Sequence, residues 1–112
     1  MTELNLSQFT CTDNYWRHPF SKSVYTDGVK YFADKAKAYW FLDIVFTEYD
    51  ILQRANGFIV IKLTVNDGKA DINVTDGNDF TMKSRHIDFT DCPEGDYTFF
   101  FTNNVLLLNS EY

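Results

Sequence analysis

The chain has 112 residues, 45% of them hydrophobic and 18% aromatic, enough for a single domain (1–112) that buries a core. That composition excludes a disordered polypeptide. The formal charge of −6 disfavours binding to a nucleic-acid backbone and fits a basic protein partner or plain solubility. The first residues carry no basic segment followed by an apolar run, and no stretch approaches the roughly 20 apolar residues of a membrane span. The expectation is a cytoplasmic protein with free Cys11 and Cys92 and no membrane contact.

Residues 1–25 have no clean period. Turn-forming Asn, Ser, Thr and Asp alternate with Phe9, Tyr15, Trp16, Phe20 and Tyr25, so an irregular N-terminal arm with aromatic anchors is expected, with room for a short helix at Asn14 to Arg17. A long helical segment follows. Thr26 or Asp27 caps it. Val29, Phe32, Ala33, Ala36, Trp40, Ile44 and Ile51 form its apolar stripe, and Asn56-Gly57 ends it. From Ala38 to Phe46 the helix is apolar nearly all round. Such a helix must be covered on both sides, by the sheet and by either the arm or a second subunit.

The strands come next. Residues 58–76 read as a hairpin closed by Asp67-Gly68 in a type I′ turn. That loop pairs Asn66 with Lys69, Leu63 with Ile72 and Ile61 with Val74, so apolar faces apolar. A third strand spans about Phe80 to Phe89, its change of phase implying a bulge near Arg85-His86. Tyr97 to Thr102 and Val105 to Asn109 complete the sheet around an Asn103-Asn104 turn, with Phe101 facing Leu106 and Phe99 facing Leu108. Phe100 and Leu107 suggest cover on both faces. The fold class is α+β: one helical segment, possibly broken, on an antiparallel sheet of about five strands.

The segments FTCTDNYWRH (9–18), VYTDGVKYFADKA (24–36), AYWFLD (38–43) and LLLNSEY (106–112) resemble, in this order, a family of small bacterial proteins also found on phages and other mobile elements. That family is a domain of unknown function. Cys11 stands where the family usually has Gly, and Asn109 where Pro is common. The resemblance implies a mobile-element setting and no chemistry.

Asp43 draws attention. At about 100° per residue it falls within the stripe of Phe32, Ala36 and Trp40, so a regular helix would bury it. A buried carboxylate needs a partner, and Arg17 or His18 in the arm can supply one. The pair reads either as a pin between arm and helix or as a small catalytic site. A helix break near Ala38 would shift this phase. His86 and Asp88 share a strand face, which reads as solvated. No paired metal-ligand spacing and no nucleophile elbow is present, so neither a metal nor another cofactor is expected. Asp76-Gly77-Asn78-Asp79 reads as a turn.

The function expected is a non-enzymatic interaction module of a phage or mobile-element type, binding a protein partner or itself as a dimer, with inhibition of a host defence factor as one form of it. Candidate binding residues are Tyr15, Trp16, Arg17, His18, Tyr39, Asp43, Phe46 and Tyr49. Burial of Phe46 within one subunit would defeat the version in which the apolar helix half is the docking surface. Two alternatives stand beside it: an acidic inhibitor that mimics nucleic acid, which needs its acids on one face, and a small enzyme using Asp43 with His18 or Arg17.

Overall fold

The computed structural model describes residues 6, 12, 14–19, 21–78 and 80–112. Cys11 and Phe9 lie outside them.

Helix α1 (Asp27–Ala36) starts where Thr26 turns its hydroxyl back to accept from the Val29 N–H. That satisfies an orphan donor of the first turn. The helix buries Val29, Phe32, Ala33 and Ala36, the expected stripe. It stops at Lys37, which adopts the left-handed conformation (φ 54°) and donates its N–H to Ala33 O. Helix α2 (Tyr39–Ile44) then starts in a new phase. It runs through a π turn (Val45–Tyr49) into α3 (Asp50–Asn56), which ends at left-handed Gly57 as Asn56-Gly57 predicts. The helical segment is therefore two rods. Beyond the break Phe41, Leu42, Val45, Phe46 and Tyr49 face inward, while Trp40 and Ile44 are half-buried and Ile51 is exposed.

The strands are β1 (Tyr15–Arg17), β2 (Val24–Thr26), β3 (Phe58–Asn66), β4 (Lys69–Thr75), β5 (Thr81–Ile87), β6 (Gly95–Thr102) and β7 (Val105–Leu108). They form one seven-stranded sheet in the order β1-β2-β7-β6-β3-β4-β5. Five strands were expected, and the two extra ones come from the supposedly irregular arm. Residues 15–17, given room for a helix by the sequence, are strand. The sheet is also mixed, because β2 runs parallel to β7, pairing Val24 with Val105 and Tyr25 with Leu106. Strands of three residues are too short to carry an alternation.

The β3–β4 hairpin has the predicted register throughout, from Asn66↔Lys69 to Ile61↔Val74. Asp67 and Gly68 both have positive φ, as a type I′ turn requires. The Asn103-Asn104 turn does the same and brings Phe101 opposite Leu106 and Phe99 opposite Leu108. The irregularity in β5 sits near Thr81–Lys83, opposite Val74 and Thr75, rather than at Arg85-His86.

All three helices lie on one face of the sheet, α1 against β2 and β7, α3 against β3 and β6. Between the layers Phe32 packs edge-on against Phe41 and Phe99, centroids 6.1 and 5.2 Å away. Offset and edge-on aromatic pairs add to the area they bury. The opposite face of the sheet carries half-buried Phe58, Phe100, Val105 and Leu107, with Tyr112 against both rings. Phe100 and Leu107 are therefore covered less than their inward neighbours. Cys92 is buried with a free thiol, as the sequence predicts. No helix among the described residues is long and apolar enough to cross a membrane.

Candidate functional site

The phase shift at Lys37 decides where Asp43 goes. It stands on the outer side of α2, 64% exposed, which corrects the expectation of a buried carboxylate. The expected partner is nevertheless there. His18, 3% exposed, places its Nε2 2.9 Å from Asp43 Oδ1 and stacks flat on Phe46 at 5.0 Å. A buried imidazole thus pins the segment after β1 to the start of the second rod. Arg17 takes no part and donates from Nε to Ser21 O.

Phe46 and Tyr49, named as binding residues, are buried in their own chain. Phe46 meets Phe101 of the sheet, Tyr25 of β2 and His18. Phe41, Leu42, Val45, Phe46 and Tyr49 are therefore sealed within one chain and offer no docking surface, while Tyr39 and Asp43 stay outside. The apolar area expected to need either the arm or a second subunit is spent on the core.

Trp16 and Tyr39 remain at the surface, 39% and 43% exposed. Strand alternation sets Trp16 on the helix-facing side with its neighbour Tyr25, and Tyr15 and Arg17 on the other. Trp16 donates its indole N–H to Asp27 Oδ1 at 3.0 Å, and Lys30 Nζ sits 4.9 Å above its ring. Lys30 reaches Asp34 one turn along, at 2.9 Å. Tyr39 donates its hydroxyl to the other oxygen of Asp34, at 2.5 Å. Tyr39 and Asp43 are four apart in α2, so they share a face. The side chains Trp16, Lys30, Asp34, Tyr39, Asp43 and His18 therefore close a circuit, since Trp16 and His18 are two residues apart in the chain.

The electrostatics follow from these contacts. The Tyr39 hydrogen bond, then the Lys30 ammonium, hold the Asp34 carboxyl below its usual range. Burial first, and the Asp34 bond second, push the Tyr39 phenol up. Burial also raises Tyr25, whose phenol lies within electrostatic reach of Lys30, Asp34 and Tyr39.

Two other polar hubs escaped the sequence reading. Asp50 accepts from Ser21 Oγ, Ser23 Oγ, Gln53 Nε2 and Arg54, joining α3 to the segment before β2. Gln53 also binds Asn104 in the β6–β7 turn, beside an open hollow of about 250 Å3. Glu111 accepts from Thr26 Oγ1, Gly28 N and Leu108 N at the start of α1. The YTDG and SEY motifs therefore meet in space. The one signal in the sequence was the Lys30/Asp34 spacing of four, which fits any exposed helix.

The remaining candidates are dispersed. His86 is held between Asp71 and Asp88 on the exposed sheet face. Asp76 forms a turn, accepting from Asn78 N. Among the described residues no three His, Cys, Asp or Glu side chains converge as metal ligands.

The described residues form a two-layer α+β fold with an aromatic and acidic surface circuit. The whole length of the chain, residues 1–112, matches the model of a family of unknown function, DUF6876, and the chain belongs to that family. No curated protein and no solved structure matches it.

Proposed function

We propose that the chain is a non-enzymatic protein-interaction module that docks through Trp16, Tyr39 and Asp43, with Tyr15 and Arg17 at the margin. The observation that carries this is one of support. Two part-exposed aromatic rings and an exposed carboxylate stand on a base of buried His18, Tyr25 and Phe46. Aromatic anchors held rigidly lose little entropy on binding, which is why Trp and Tyr dominate interface energetics. The mobile-element setting that the motifs resemble makes a host defence factor the first class of partner to test.

The rival readings have less behind them. Acidic mimicry needs one acidic face. Here Asp34 and Asp43 lie on the helical side, Asp71 and Asp88 on the far side of the sheet, and Asp50 and Glu111 are engaged internally. An enzyme using Asp43 would need to shelter it, and this carboxylate faces bulk water.

The test is affinity capture from host lysate with the native chain, the Trp16→Ala/Tyr39→Ala double variant and a far-face Lys62→Ala control. A protein held by the native chain and the control, and lost by the double variant, is the expected result. Equal capture by all three sinks the reading. Light scattering at two concentrations reports self-association separately.

A further inference from the structure

The floor of the circuit holds an oddity. Tyr25 is only 8% exposed, yet its hydroxyl makes no hydrogen bond with any described residue. Every fully buried side-chain nitrogen or oxygen among the described residues has a partner. The Tyr25 oxygen therefore keeps an opening to the outside, and Lys30, Asp34 and Tyr39 lie within its electrostatic reach. Buried phenols ordinarily find a partner. A second vacancy lies one helical turn beyond Tyr39: Asp43 uses Oδ1 for His18, and Oδ2 has no protein partner among the described residues.

We infer that this circuit, on the interaction reading above, receives the guanidinium group of a partner protein's arginine, and that Lys30 keeps its place in the unbound chain. Charge argues for a cation. Asp27 and Asp34 lie near Lys30 and Asp43 stands one turn beyond Tyr39, so three carboxylates face the ammoniums of Lys30 and of Lys35, the latter within electrostatic reach of Asp34, in a chain of net charge −6. An anion would meet three carboxylates. The walls argue the same way, since a cation is attracted to the faces of Trp and Tyr. Lys30 already demonstrates the fit, lying 4.9 Å over the Trp16 ring with its ammonium on Asp34.

Arginine suits the vacancies better than lysine. Its planar fork of five donors can stack on an aromatic ring while serving several acceptors at once. The acceptors here are Asp43 Oδ2, the Asp34 carboxylate and the Tyr25 oxygen. Lysine offers a compact charge that would only duplicate Lys30.

The probe is the peptide acetyl-Gly-Arg-Gly-Arg-Gly-amide, titrated into the 15N-labelled full chain, with its lysine counterpart in parallel. The expected result is a saturable shift of the Trp16 indole N–H and of the Tyr25 and Tyr39 ring signals, with the lysine peptide clearly weaker. Lys30→Met should tighten arginine binding about fivefold, the combined weight of one exposed cation–π contact and one i,i+4 ion pair. Tyr25→Phe should weaken it about threefold, for the loss of one modest hydrogen bond. A merely structural Lys30 would give the opposite sign. No saturable shift at these signals, equal response to the lysine peptide, or weaker binding by Lys30→Met each overturns the inference. Should the double variant lose a captured protein while the arginine peptide shows nothing, this inference fails and the interaction reading stands.

Discussion

Thr26 Oγ1 donates to Glu111 Oε1 at 2.6 Å, across 85 positions of sequence. The same carboxylate takes the Gly28 and Leu108 N–H groups, so one side chain near the C-terminus completes the start of α1. A carboxylate is favoured there by the helix dipole as well as by the donors. Glu111→Ala leaves three donors without it and should cost about 1–3 kcal/mol of unfolding free energy. Glu111→Gln, which keeps the shape and one acceptor, should cost less. Urea denaturation measures both, and equal losses would mean that the one acceptor glutamine keeps counts for nothing.

Gly28→Ala should destabilise the protein even though Ala favours helix by about 1 kcal/mol. A Cβ there would lie 2.6 Å from Leu108 Cδ1 and 2.7 Å from Glu111 Oε1. Leu108 is buried and Glu111 is held by three hydrogen bonds, so neither moves cheaply. The expected net loss is about 1–3 kcal/mol, the usual cost of overpacking. A stability gain would show that the YTDG glycine is there for another reason.

Lys37→Gly should stabilise. Lys37 holds φ 54° at the break between the two rods. The left-handed region costs an L-residue about 1–2 kcal/mol, while a glycine costs about 0.4–1 kcal/mol through the unfolded chain. The expected gain is about 0.5–1 kcal/mol, read as a higher urea midpoint with an unchanged slope.

Alkaline pH should erode stability early. Burial pushes the Cys92 thiol from 9.0 up to about 11, and burial raises Tyr25, Tyr39 and Tyr49 above 10.0. Groups raised in the folded state contribute stability that is complete below their unfolded values. It is lost as pH climbs through the folded ones. The urea midpoint should therefore hold from pH 7 to about 8.5 and fall from about pH 9 upward. A flat midpoint to pH 10.5 would contradict the burial of these groups. Cys92 should also react with iodoacetamide far more slowly in the folded chain than in urea.

The hairpins were legible because their signals are local. Asp67-Gly68 and Asn103-Asn104 fix register by loop length, and the alternation of β3 and β4 agrees with it. The pairing of Asp43 with Arg17 or His18 was legible too, but for a reason that failed. It rested on a buried Asp43, and the real pair joins a buried imidazole to an exposed carboxylate. Lys37 hid the difference, since lysine gives no warning of a left-handed turn. Tyr25, Lys30 and Asp34 were missed because only tertiary structure sets Trp16 over α1. The parallel β2–β7 pairing left no trace, as it links two short segments from opposite ends of the chain.

That parallel pairing imposes an order of assembly. Residues 24–28 are synthesised about 4–17 s before their partners at 105–111 at typical rates. In that interval β2 has no neighbour on its β7 side, and the start of α1 lacks its carboxylate. The hairpins of residues 58–87 close short loops and have no such wait. Residues 24–28 thus wait for residues made much later, and the segment carrying Trp16 and His18, which pairs with β2, gains its final position only after them.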